Sequence, residues 1–569
     1  MKRIQIGFNK FLENKEAFWI TLILVFIVVR LAVWLYPYDS DHWIFYYVGK
    51  TIAHGGLLYV NAWDHKPPLI FEFNALMSLI FGGSLVLHRI FLTVLAVFDA
   101  FLFYKLATLF SKNFFKENAV KIARISLLLY VFWRNLSQFA SSGNNTENFG
   151  LIFLILMLLA FFKWYSTIKN QTSDNKNFKF RSPVVPAPDR VEGKAPAGIQ
   201  KDSNGIDSRL RGNDKLVYLF LSGVCLSILF YLKENFSLLS LPIMVEIFLL
   251  SYKSIKKFVV NYLVFGLPFL LQTAFWILYF KSHNALNDFW VAAVSFSSKY
   301  AKSALSGDVS PHTVFILIIA PFFVPLAIFA VYMLRDFRKI KSDVFYRFVL
   351  IGSIAAMAAC VGVGSFYPYY FLIGMPFFIL MFAYGGNIIL NPFIRHPEEP
   401  KDLSHKSAVK DSSLVLQKSL RMTSIAILLA GMLISFGMSN KELLNSFSGP
   451  AKADLDQYQK IADYIKANSN PNDKIEAYTY GAVLYRMAER DAGSRYISAS
   501  VLLLDTRDNY GFHLDDTFIS DMEKSKAKYW IISKDPNNVY YQNKKIILYM
   551  LNHYRLDKEF GNYMVLKRK

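Results

Sequence analysis

The sequence predicts a polytopic α-helical membrane protein of about eleven transmembrane helices, followed by a small C-terminal α/β domain. Three observations lead there. Apolar residues make up 54% of the 569, and charged residues only 18%, where soluble domains carry roughly a quarter. The 52 Phe and 33 Tyr are more than one soluble core can hold without large exposed apolar patches. The apolar residues also cluster into runs of roughly 20, the length a helix needs to cross hydrocarbon. A soluble globular enzyme and a disordered chain are both excluded.

The expected spans lie near 17–36, 84–110, 121–137, 147–163, 216–232, 236–250, 258–280, 312–334, 347–365, 370–390 and 423–439. The first is too long for a cleaved signal peptide, and no small-residue cleavage site follows it. Lys and Arg in short loops mark the cytoplasmic side. The basic segments are the N-terminus, Lys112–Arg124, Lys163–Lys215, Lys253–Lys257, Arg335–Arg347 and Arg395–Arg421. Eleven spans place all of them on the side of the N-terminus. The outward segments are then 37–83, 138–146, the surroundings of Lys233, 281–311, 366–369 and the tail after Ser439. Charge counts agree. The tail carries 20 Lys and Arg against 17 Asp and Glu, so +18 of the net +21 lies in the membrane half. In a membrane protein such charge reports orientation, and nucleic acid is not an expected partner.

The predicted organisation is a multi-span domain over 1–439 and an outward α/β domain over 440–569. Two cytoplasmic stretches, 170–214 and 395–422, are polar, poor in aromatics and without periodicity, and are expected to be disordered insertions. Cys225 and Cys360 both lie in apolar runs, which rules out a disulfide framework or zinc spacing. In the tail, 458–467 has helical spacing and Pro471-Asn-Asp473 forms a turn. Strands are expected over 474–480 and 528–533, and Phe560-Gly-Asn-Tyr563 turns a terminal hairpin.

Candidate chemistry concentrates in the first outward segment. It reads Asp39-Ser-Asp41-His42-Trp43, then Tyr47-Val-Gly49, then Trp63-Asp64-His65-Lys66-Pro67-Pro68. Two carboxylates follow a span, and two prolines stiffen the chain after Lys66. Glu147 stands at the outer end of its own span, where an ionisable residue points to function. Lys233 lies between two apolar runs, and Tyr369 and Tyr370 precede a late span.

These motifs resemble the first periplasmic loop of GT-C glycosyltransferases. The match is to glycosyltransferase family 39 and its RgtA/B/C/D-like group, related to protein O-mannosyltransferases and lipid A aminoarabinose transferases. Asn144-Asn-Thr-Glu147, Gly364-Ser-Phe-Tyr367-Pro-Tyr369-Tyr370 and a tail containing Ala492-Gly-Ser-Arg-Tyr496 extend the resemblance. It implies an inner-membrane enzyme with its N-terminus cytoplasmic and its tail periplasmic. It implies a polyprenyl-phosphate sugar donor and an envelope acceptor: lipid A, a glycan or a protein. The implied chemistry is inverting displacement with a carboxylate base. Spacing to Gly49 selects Asp41 for that base, with Asp39 as the alternative. Lys66, with His65, Lys233, Tyr369 and Tyr370, is the candidate donor-phosphate group. Glu147 is expected to orient the acceptor or, with Asp41, to hold a divalent ion; no cofactor is otherwise implied. The competing readings are a transporter or flippase of envelope lipids or glycans, and an envelope assembly scaffold. No internal repeat of the transporter kind is present.

Overall fold

The computed structural model describes residues 2–35, 40–115, 118–178, 207–305, 312–361, 367–394, 423–441, 444, 450–477, 482–498, 500–507, 510–535 and 543–569. Residues 395–422 and most of 170–214 lie outside the described residues.

Helices dominate the membrane half. They run α1 Lys2–Glu13, α2 Lys15–Leu35, α3 Ser40–Ala53, α4 Leu69–Phe81, α5 Leu85–Phe115, α6 Ala119–Arg134, α7 Ser137–Ala140, α8 Thr146–Phe178 and α9 Asp207–Leu232. There follow α10 Leu241–Ser251, α11 Ile255–Ser282, α12 Leu286–Phe289, α13 Ser297–Leu305, α14 His312–Leu334, α15 Val344–Val361, α16 Met375–Ile394 and α17 Thr423–Lys441. Among the described residues, eight helices are long and apolar enough to cross a membrane, and Leu69–Phe81, Leu216–Leu232 and Ala320–Leu334 are shorter apolar helices. The chain is a multi-pass membrane protein. Ile20, Leu24, Ile27 and Leu31 of α2 are each more than half exposed, a stripe that a lipid environment accommodates. Helices approach closely where a side chain is missing. A Cβ on Gly223 of α9 would sit 2.0 Å from the Phe265 carbonyl oxygen of α11.

The stretch 37–83 differs from expectation. It is no open loop, because α3 and α4 occupy much of it. Alpha-4 is apolar yet has only 13 residues, short for a span. Residues 134–150 differ too. Nearly all are buried, although 135–145 is mostly non-helical. Backbone of this kind is tolerated at membrane depth only where protein surrounds it.

The tail folds as helices on a four-stranded sheet. The strands are β1 Ile475–Ala477, β2 Tyr529–Ser533, β3 Tyr554–Phe560 and β4 Tyr563–Arg568, in the order β1-β2-β4-β3. Beta-1 and β2 are parallel, and the other pairs are antiparallel. Every residue of β2 is buried, as its apolar Tyr-Trp-Ile-Ile run requires. Gly561 takes φ +53° in the two-residue turn of the β3–β4 hairpin, a conformation that favours glycine. Helices α18 Pro450–Asn468, α19 Ala482–Ala488, α20 Ser500–Arg507, α21 Leu514–Ser525 and α22 Lys544–His553 complete the unit. Alpha-19 reaches the membrane half, where Arg486 donates to the Gly83 carbonyl at 2.9 Å.

Candidate functional site

Asp41 lies in the first turn of α3, where the helix dipole favours a carboxylate. It is half-buried, while His42 to Gly49 are all buried. Gly49 makes that depth accessible: a Cβ there would sit 2.5 Å from the Asn74 side chain of α4. The Tyr369 hydroxyl donates to Asp41 Oδ2 at 3.4 Å. Asp39 lies outside the described residues.

After α3 the chain makes a tight turn around Tyr59. This residue has φ +68°, uncommon for a bulky side chain, and it is fully buried. Its N–H donates to the Ala62 carbonyl at 2.8 Å, and its hydroxyl to the Lys66 carbonyl at 2.8 Å. A strained residue persists only when its surroundings over-determine it. Asp64 then caps the next turn, accepting from the Lys66 N–H at 3.0 Å with the Lys66 ammonium 3.6 Å away. The Lys66 ammonium also lies 4.9 Å from the Phe45 ring centroid. Pro67 and Pro68 lead directly into α4.

Electrostatics separate these neighbours. Burial alone would raise the Asp64 carboxyl, but the Lys66 charge, His65 and the Lys66 N–H outweigh it and hold it below its usual range. Burial would lower the Lys66 ammonium, but Asp41 and Asp64 outweigh that and hold it above an ordinary lysine. Both are charged at neutral pH. His65 goes the other way: burial pulls it down to about 4, against the pull of Asp64. Its ring packs on Phe296 and Tyr300, and its carbonyl accepts from the Ser297 hydroxyl at 2.8 Å. His65 thus brings a neutral ring to the site, and Lys66 brings the cation.

Glu147 enters from the first turn of α8 and is buried. Thr146 donates to Oε2 at 2.9 Å and Lys233 to Oε1 at 2.7 Å. Lys233 also lies 3.5 Å from the Tyr370 ring centroid, a cation–π contact. Tyr370 packs edge-on against Tyr369, with centroids 4.9 Å apart. One contact path therefore runs from Asp41 through Tyr369, Tyr370 and Lys233 to Glu147. Glu234, beside it, has a buried Oε1 without a hydrogen-bond partner. Residues 364–366 of the late tyrosine motif lie outside the described residues.

The divalent-ion expectation fits this arrangement poorly. An ammonium 2.7 Å from Glu147 occupies the place a cation would take. Among the described residues, the one group of three His, Asp or Glu side chains with ligand atoms close together is His513, Asp515 and Asp516. It lies on the tail, with Lys545 2.8 Å from Asp516.

Two features escaped the sequence reading. One is Asp64, embedded in the quoted motif, whose side chain bonds backbone two residues on, a local pattern typical of Asp. The other lies within the membrane half. Arg134 meets Asp99 through Nη2 at 2.6 Å and Nε at 3.0 Å, and Tyr130 donates to Asp99 at 3.2 Å. Arg30 bonds Asn135 at 3.4 Å and the Leu92 carbonyl at 3.3 Å nearby. Charges inside apolar runs were the available signal.

No protein-family model matches the chain, and no curated protein matches it. Solved structures do. The oligosaccharyltransferase of Archaeoglobus fulgidus, tethered to an acceptor peptide, aligns over 95% of this chain and 72% of its own, with 12% identity and a TM-score of 0.52. ArnT from Cupriavidus metallidurans, bound to undecaprenyl phosphate, aligns over 97% of this chain and 98% of its own, with 10% identity and a TM-score of 0.50. Its apo form aligns over 96% and 97%, with 11% identity and a TM-score of 0.50. This chain shares the fold of both proteins.

Proposed function

We propose that the chain is a membrane glycosyltransferase that moves a sugar from a polyprenyl-phosphate donor to an envelope acceptor. The acceptor class is lipid A, a glycan or a protein. Transfer takes place on the outer face of the inner membrane. The N-terminus is cytoplasmic, residues 1–439 form the membrane domain and 440–569 the periplasmic one. The observation that carries the reading is the contact path from Asp41 through two tyrosines to Lys233 and Glu147. It lies in a fold whose ArnT example was solved with undecaprenyl phosphate.

The acceptor hydroxyl gives its proton to the Asp41 carboxylate as its oxygen attacks the anomeric carbon. The bond from that carbon to the phosphate oxygen breaks, and polyprenyl phosphate leaves with the electron pair. Attack from the face opposite the phosphate inverts the sugar carbon. Lys66 and Lys233 meet the charge on the leaving phosphate, and the Tyr369 and Tyr370 hydroxyls supply further donors. Glu147 holds Lys233 in place.

The test is transfer of radiolabelled sugar from the polyprenyl-phosphate pool of native membranes to any envelope acceptor, comparing wild type with Asp41→Asn at matched expression. Labelled product with wild type alone supports the reading. Equal labelling removes Asp41 as base and moves the role to Asp39 or Glu147. Movement of labelled lipid across the membrane without product favours the transporter reading instead.

A further inference from the structure

The tail meets the turn that carries Lys66, and the contacts converge on one residue. The Trp63 N–H donates to the Arg495 carbonyl at 2.7 Å. Trp63 and Tyr496 form a parallel bridge, with ring centroids 5.5 Å apart. The Arg495 side chain is itself held on two sides. Its Nε and Nη2 bond Asp521 of α21 at 2.8 and 3.0 Å, and its N–H bonds the same carboxylate at 3.1 Å. Its Nη1 lies 3.8 Å from Asp288 of α12, in the membrane half. Beyond Asp288 the chain reaches Phe296, which packs on both Trp63 and His65, and Ser297, which donates to the His65 carbonyl. Arg495 thus links the tail and the 286–300 segment through its guanidinium, and the Trp63–Lys66 turn through its backbone carbonyl. A second hold lies alongside: the Ala492 N–H donates to the Tyr47 hydroxyl at 2.7 Å.

None of these contacts involves a group proposed to react. All of them bear on where Lys66 stands. Its side chain is long and rotamer-rich, and the strained Tyr59 turn needs external support to keep one shape. We infer that Arg495 is a positioning residue: tail docking through it holds the Trp63–Lys66 turn so that the Lys66 ammonium meets the phosphate of a lipid-phosphate donor. The inference rests on the function proposed above. An arginine suits the role because its planar fork engages both Asp521 oxygens while a third nitrogen faces Asp288, which a lysine cannot reproduce.

The experiment uses the full-length protein in detergent micelles. Undecaprenyl phosphate is the binding probe, and hydrogen exchange of peptides covering 57–66 reads the turn directly. Arg495→Ala is expected to bind undecaprenyl phosphate about tenfold more weakly and to speed exchange over 57–66, a loss within the range that small misplacements produce. Exchange in β2 and the melting temperature stay as in wild type. Arg495→Lys gives an intermediate result, which a merely structural role would not grade. If Arg495→Ala does not fold, Asp288→Asn and Arg495→Lys are read in its place. Unchanged exchange over 57–66 overturns the inference whatever the lipid does. So does unchanged affinity in Arg495→Ala while Lys66→Ala weakens binding. If wild type fails to bind the lipid, the proposed function fails, and the exchange result still decides the positioning.

Discussion

The Asp99–Arg134 pair and the candidate site around Lys66 and Lys233 hold the same kinds of charge in opposite ways. Inside the membrane half the cation is arginine. Arg134 directs two nitrogens of its fork to one carboxylate, and neither residue is more than 1% exposed. That geometry joins α5 to α6 and leaves the carboxylate no capacity for a ligand. In the candidate site the cations are lysines. Lys66 and Lys233 each meet one carboxylate, Lys66 beside one aromatic ring and Lys233 beside two, and their side chains remain 18% and 12% exposed. An ammonium has three donors around a point charge, so one ion pair does not exhaust it. Arginine is placed where helices must be locked. Lysine is placed where a phosphate is proposed to arrive.

If that division holds, substitutions in the two regions separate activity from stability. The largest effect is expected from Asp41→Asn. Sugar transfer falls by about 10²–10⁴-fold, the usual worth of a positioned base, with the melting temperature unchanged. A large drop in melting temperature would instead place Asp41 with the structural charges. Arg134→Leu should do the reverse. It strands a buried carboxylate, at a cost of ~3–5 kcal/mol, and the yield of folded protein in detergent falls accordingly. Wild-type yield and stability would break the comparison.

Lys233→Met tests the boundary between the two classes. It removes the proposed phosphate contact and leaves Glu147 buried without its cation. Undecaprenyl phosphate should bind about tenfold more weakly. Calorimetry should also show ~1–3 kcal/mol of lost stability. Adding Glu147→Gln should restore stability without restoring affinity. If both return together, the pair is purely structural.

Glu476 sets a pH slope in the tail. Glu476 in β1 is buried, which pushes its carboxyl up to about 8 against the two hydrogen bonds from Ser494. The folded tail therefore keeps a proton that the unfolded chain gives up above the ordinary carboxylate value of 4.5. Stability should fall as pH rises from about 4.5 towards 8 and level off above that, because the folded state binds more protons across the interval. Melting curves from pH 5 to 9 check this, and Glu476→Gln should flatten the slope.

Much of the fold was legible because its signals are local. Apolar runs located the helices, and a Gly-Asn pair between two alternating stretches located the terminal hairpin. Leu69–Phe81 was not counted among the spans, since its 13 residues fall short of one and it sits among polar motifs. Of the site, the Trp63–Pro68 motif was readable as a unit, as was the charge at the head of α8. The neutrality of His65 was not, because it comes from burial under Phe296 and Tyr300, which lie more than 230 residues away along the chain. Asp99 and Arg134 stood in view inside apolar runs, but partnership between two such charges cannot be read from one sequence.

By itself, the sequence determined that this chain enters a membrane and that a small domain follows. Those outcomes depend on the length of apolar runs and on where they stop, both properties of short windows. Only the tertiary structure decided which charges meet. Glu147 finds Lys233 across 86 residues and Tyr369 finds Asp41 across 328. The strength of such pairs depends on separation and on exclusion of water, and both come from how the helices pack.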